Sequence, residues 1–187
     1  MGHALTKAIN QGDASIVYPG TNTPAFTDRN FYSACGKTGA SGTIRANGCA
    51  ICALATFALY KGGLKFDNGN VFSAVKEAAK KATNASADFT YASFSADINS
   101  VKVDITLTAV NDMAEVVQSG GICIVRMKQG VKSHFLLVDG FDKNASGLEA
   151  YLVADPNGGA LRNMKQAMGL MGIPDKAEFL VKKFKLS

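Results

Sequence analysis

Residues 49–60, CAICALATFALY, are the longest apolar run in the chain, and the fold turns on how they are read. An amphipathic surface helix carries its apolar residues on one stripe, whereas this run is apolar on every side. It therefore predicts a helix buried all round at the centre of a domain, stopped by Gly62 and Gly63. The run is shorter than the roughly 20 residues that cross a bilayer, so it belongs to a protein core and no membrane span is expected. Asn47, two places upstream, reads as the N-cap, which puts Cys49 in the first helical turn.

Working outward, residues 1–48 are rich in turn chemistry, with GTNTP at 20–24, DRN at 28–30 and a Gly/Ser/Thr cluster over 36–43. They predict an irregular arm lying over the core. Downstream, residues 70–82 (NVFSAVKEAAKKA) have helical spacing, with Val71, Phe72, Val75 and Ala79 on the inner face. Residues 101–107 (VKVDITL) alternate like a strand, and 109–121 (AVNDMAEVVQSGG) read as a helix ending at Gly120 and Gly121. ICIVRM at 122–127, HFLLVDGF at 134–141 and AYLVAD at 150–155 are short β-branched or aromatic runs separated by turn residues, the pattern of consecutive antiparallel strands. FLVKKFKL at 179–186 predicts one more strand, at a sheet edge, where its lysines blunt exposed backbone. Helices first and strands later give an α+β domain, with the buried helix packed on a mainly antiparallel sheet. Neither an internal repeat nor a linker interrupts the chain, so residues 1–187 are read as one domain.

Composition fits that reading. A chain of 187 residues can bury roughly 70% of the surface it exposes when unfolded, so it needs no metal or disulfide to hold together. Its 47% hydrophobic and 19% charged residues are those of a globular domain without disordered tails. Lys and Arg exceed Asp and Glu by 20 to 15, but apart from Lys182, Lys183 and Lys185 the excess is dispersed. With no Arg-rich stripe interleaved with aromatics, a nucleic-acid partner is not expected. The first twenty residues lack the apolar stretch of a secretory signal. The chain reads as soluble, with its compartment left open between cytoplasmic and secreted or phage-delivered. Cys35, Cys49, Cys52 and Cys123 read as reactive or buried thiols, because a core of this size does not need disulfide staples.

The chemistry gathers around one of those thiols. A thiol is a useful nucleophile only as the thiolate, and a helix N-terminus favours that form through its unpaired N–H groups and positive dipole end. Cys49 has such a place, and the same N–H groups would receive the negative oxygen of a tetrahedral intermediate. Taken alone, Cys49 reads first as a small core thiol. His134 changes the balance: apart from His3 it is the only imidazole in the chain, and it heads the strand 134–141. The turn DKNASG follows, and the next strand ends at Asp155. Pairing Phe141 with Leu148 across that turn sets His134 directly opposite Asp155 on the same face. A carboxylate there would fix the tautomer and direction of the imidazole, while a one-residue slip would separate the two. Asp155 by itself reads first as a turn cap, since Asp-Pro-Asn-Gly is strong turn chemistry.

Other classes compete for the same residues. Cys49 and Cys52 have the C-x-x-C spacing of a thiol-disulfide oxidoreductase, but that fold leads into its motif with a strand, and SGTIRANG at 41–48 reads as a loop. A zinc site from Cys49, Cys52, Cys123 and His134 lacks a second close ligand pair. No cofactor or metal is therefore expected.

The segment SGTIRANGCAICALATFALY at 41–60 resembles the nucleophile segment of the double-glycine leader peptidase-like branch of papain-like cysteine peptidases, where a Gly-Cys pair opens a helix of small and apolar residues. HFLLVDGFD at 134–142 followed by YLVADP at 151–156 is similar to that branch's His strand and Asp-Pro strand, in the same order. The resemblance implies a papain-like fold and amide hydrolysis through a thioester, with Cys49 as nucleophile, His134 as base and then acid, and Asp155 as orienter. It implies a peptide or protein substrate, with peptidoglycan cross-links as the rival, and the same fold without activity would be a peptide-binding module. Related enzymes place a Gln upstream of the cysteine to complete the oxyanion hole. Residues 41–48 contain none, and Gln11, Asn30 and Asn47 stand as substitutes. No membrane or ATPase segment accompanies the domain, so leader processing is not carried over.

Overall fold

The computed structural model describes residues 2–35, 42–81 and 93–184. Residues 2–30 form no helix and only one isolated bridge, Val17 with Pro24, yet Leu5, Ile9, Ile16, Ala25 and Phe26 are buried. This arm is fastened to the core by polar bonds as well as by burial. Thr56 Oγ1 donates to the Cys52 carbonyl at 2.8 Å and accepts the Ile9 N–H at 3.0 Å. Two short helices follow, α1 (Phe31–Ala34) and α2 (Ile44–Asn47), then the long α3 (Cys49–Lys61) and α4 (Asn68–Lys80). All of α3 from Ala50 to Leu59 is buried, as its apolar surround requires.

The remainder is β1 (Ser93–Ile98), β2 (Val101–Val110), α5 (Met113–Gln118), β3 (Cys123–Gln129), β4 (Lys132–Phe141), a 3-10 turn (Gly147–Ala150), β5 (Tyr151–Asp155), β6 (Ala160–Asn163), α6 (Met164–Met171) and β7 (Glu178–Phe184). The strands form one antiparallel sheet in the order β1-β2-β7-β3-β4-β5-β6. The architecture is α+β. One sheet face, through Ile105, Leu107, Ile124, Phe135, Leu137 and Phe184, packs with α3, α4 and the arm. The other, through Val125, Met127, Leu136, Val138 and Val153, packs with α5 and α6. Strand β4 therefore has cover on both faces, which explains why 134–141 is a continuous apolar run and not an alternating one.

Several elements differ from expectation for identifiable reasons. SGTIRANG is not wholly loop: Thr43 Oγ1 accepts the Ala46 N–H at 3.1 Å and starts α2. β2 continues to Val110, so the helix predicted from 109 begins only at Met113, where Asp112 caps it. β7 is not an edge strand; it lies between β2 and β3. Phe179 and Val181 reach the second cluster and Phe184 stacks on Phe57 with ring centres 3.6 Å apart, so both faces are used. The edges are β1 and β6. Residues 36–41 of the Gly/Ser/Thr cluster, Ala82 and Lys185 lie outside the described residues.

Candidate active site

Cys49 owes its position to the glycine before it. α2 ends at Asn47, and Gly48, not the expected Asn47, is the N-cap of α3. A Cβ on Gly48 would meet the Ile44 carbonyl oxygen at 2.5 Å and the Ile44 Cα at 2.8 Å, so only glycine lets α2 turn so tightly into α3. Gly48 has no side chain to cap α3, and the first helical bond runs from Cys52 N–H to the Gly48 carbonyl. The amides of the first turn, beside the half-buried Cys49, are thus free of any side-chain cap.

His134 and Asp155 come together by a register different from the expected one. The 3-10 turn Gly147–Ala150 consumes residues that a tight hairpin would have paired, so Phe141 faces Tyr151, not Leu148. One further residue is absorbed by a β-bulge, because Gly140 pairs Leu152 while Val138 pairs Val153. The ladder inside the bulge, Leu137 with Ala154, carries Asp155 opposite Leu136, two residues from His134. The two side chains share a face but meet diagonally instead of directly. The His134 Nε2–H donates to Asp155 Oδ1 at 2.7 Å, with 2% and 0% of the side chains exposed. Asp155 Oδ1 also accepts the Asn157 N–H at 2.9 Å, so the carboxylate is a turn cap and an imidazole partner at once.

The extra residue in the bulge, Asp139, is itself anchored. Its Oδ2 accepts the Leu5 N–H at 2.8 Å, its Oδ1 accepts from His3 Nδ1 at 2.9 Å, and its carbonyl accepts the Ala4 N–H at 3.0 Å. The arm also passes close over Gly140, where a Cβ would collide with the Gly2 carbonyl oxygen.

Electrostatics link the pair to the thiol. Burial pulls the His134 pKa down, but the hydrogen bond to Asp155 and the hydrogen bond and charge of Cys49 outweigh it and raise the pKa to about 9. Near neutral pH the imidazolium is therefore the favoured form of His134. With Nε2 committed to Asp155, Nδ1 is left for the sulfur.

Of the three upstream amides, Gln11 spans the site. Its N–H donates to the Pro156 carbonyl at 3.0 Å and its Nε2 to the Arg45 carbonyl at 2.8 Å. The second N–H of that amide has no partner among the described residues, and Gln11 Oε1 is buried without one. Asn30 instead closes a turn on Asp28, and exposed Asn47 faces Gly42. Arg162, on β6, was not singled out in the sequence, yet its Nε lies 3.5 Å from Asp155 Oδ2. The Asn157-Gly158 pair between YLVAD and ALRN is a hairpin signal that would have placed it.

The remaining thiols are core residues. Burial pushes Cys52 well above the ordinary thiol range, Cys35 to about 11 and Cys123 to about 12. Cys52 packs one turn into α3 and is fully buried. Among the described residues no group of three or more His, Cys, Asp or Glu side chains is arranged to hold a metal ion, and no helix is long and apolar enough to cross a membrane. Comparison with family models, curated proteins and solved structures returns no match.

Proposed function

We propose that the chain is a cysteine peptidase of papain-like fold that hydrolyses a peptide or isopeptide bond. The observation that carries this reading is the buried imidazole of His134, held by Asp155 at 2.7 Å, with its pKa raised by Asp155 and next by Cys49 at the mouth of α3. In the first half-reaction the Cys49 thiolate attacks the substrate carbonyl carbon and forms a C–S bond. The carbonyl oxygen takes the negative charge and is received by the first-turn amides of α3 and the second Gln11 N–H. His134 gives its proton to the departing amine as the C–N bond breaks, leaving a thioester. Neutral His134 then takes a proton from water, whose oxygen attacks the thioester. Collapse releases the acid and returns sulfur and imidazole to their starting forms.

Two features support this chemistry over a redox dithiol. Cys52, the partner a C-x-x-C enzyme would need, is buried and held protonated. Gln11, from far upstream in sequence, bonds the Arg45 carbonyl in α2, the helix that leads into Gly48 and Cys49. The test is cleavage of a mixed peptide library and of cross-linked muropeptides, read by mass spectrometry of new termini. Wild type should cut one class and Cys49→Ala neither; cutting that persists in Cys49→Ala would refute the assignment.

A further inference from the structure

His134, Asp155 and Arg162 lie in one diagonal row across three neighbouring strands. Asp155 pairs Ala160, and Arg162 is two residues further along β6 on the same face, the same diagonal step that separates His134 from Asp155. Arg162 uses its guanidinium in two directions. Nη2–H donates to the Asn157 carbonyl at 3.0 Å, and Nε approaches Asp155 Oδ2 at 3.5 Å. The second contact is ionic, for no hydrogen bond from the described residues reaches the buried Oδ2.

The division of labour on this carboxylate is informative. Oδ1 is taken by His134 and the Asn157 N–H, and Oδ2 is left facing a cation. A buried carboxylate needs opposite charge. If His134 were its sole cation, the imidazolium would be gripped so firmly that it would be a poor proton donor. We propose that Arg162 is a positioning residue of the site: it clamps the Asp155-Pro156-Asn157 turn, fixes the carboxylate toward His134 and offsets part of its charge. The groups that act directly on His134 are Asp155 on β5 and Cys49 on α3. Arg162 acts on it through Asp155.

The catalytic meaning rests on the reading of Cys49 and His134 as nucleophile and base, but the test reads the imidazole itself. The chain has two histidines, so ring resonances of His134 can be followed by NMR against pH. In Arg162→Gln the His134 titration should move up by about 0.5 to 1 pH unit. Arg162→Lys, which keeps the charge, should stay within about 0.3 of wild type. A titration that is unchanged or lower in Arg162→Gln, or a lysine variant displaced as far as the glutamine, overturns the proposal. Should Arg162→Gln not fold, the double variant Asp155→Asn/Arg162→Gln decides. A folded double variant shows that the arginine served the carboxylate's charge, and an unfolded one overturns the proposal. A titration that moves as expected in a protein that cleaves no peptide would retire the peptidase reading while leaving this coupling in place.

Discussion

Gln11 is hydrogen-bonded to the carbonyl of Arg45, four residues before Cys49, through a side-chain amide whose other N–H stays unpartnered among the described residues. Its backbone meanwhile is bonded to Pro156, next to Asp155. The residue thus joins the two sides of the candidate site. Gln11→Ala is expected to lower kcat by about 100-fold with KM little changed, as loss of a donor used only in the transition state does. Steady-state kinetics on the cleaved peptide check this, and an intact kcat would remove Gln11 from the oxyanion hole.

Thiol reactivity should separate the four cysteines. Cys49 is half-buried beside an imidazolium, whereas Cys35, Cys52 and Cys123 are buried and pushed upward in pKa. Iodoacetamide at about pH 6 should modify Cys49 well ahead of the rest. Peptide mapping after a time course gives the order, and the His134→Ala variant should lose most of the advantage. Equal rates at all four thiols would mean that no activated sulfur exists.

The raised His134 pKa has a sign that can be followed. The folded chain binds this proton more tightly than the unfolded chain, in which the value is near 6.5. The stabilisation is therefore complete below about pH 6.5 and drains away as pH rises through about 9. The gap corresponds to about 3 kcal/mol, and peptide hydrolysis should fall off on the same basic side. Asp155→Asn removes the largest raising cause and should pull the imidazole titration down, with burial then dominating. Urea unfolding at pH 6 and pH 10, compared between wild type and Asp155→Asn, isolates this contribution; the same pH response in both would contradict it.

Gly48→Ala should damage fold and site together. The added methyl would have to displace the Ile44 backbone, which is 2.5 Å away at its carbonyl oxygen. A cost of about 1–3 kcal/mol is expected, seen as a fall in melting temperature of roughly 3–10 °C. A variant with wild-type melting would show that the α2–α3 junction has room to relax.

The parts of the fold legible in sequence were those where one physical demand dominated. The apolar surround of residues 49–60 could only be a buried helix, and α3 runs Cys49–Lys61. Strands β3, β4 and β5 stood out by β-branched and aromatic runs. β1, SFSADI, is mostly small and polar and gives no such signal. The position of β7 was misread because lysines at 182 and 183 suggest solvent, while only the paired neighbours show that the strand is interior. The shared face of His134 and Asp155 survived a wrong register because the real pairing differs by two places, and side-chain direction repeats every two residues. Gln11 and Arg162 were harder to see. Their relation to the site depends on an arm without periodicity and on a four-residue strand.

The anchors of the arm also set an order of events during synthesis. His3 and Leu5 find their acceptor on Asp139, separated from them by 136 and 134 positions, and Gln11 finds its own on Pro156. A growing polypeptide carries Cys49 out of the ribosome long before either acceptor exists. In the nascent chain the sulfur therefore has no imidazole to meet until synthesis has passed residue 134. Such distant closures are slow relative to local helix formation, so the candidate site is assembled after the helices that frame it.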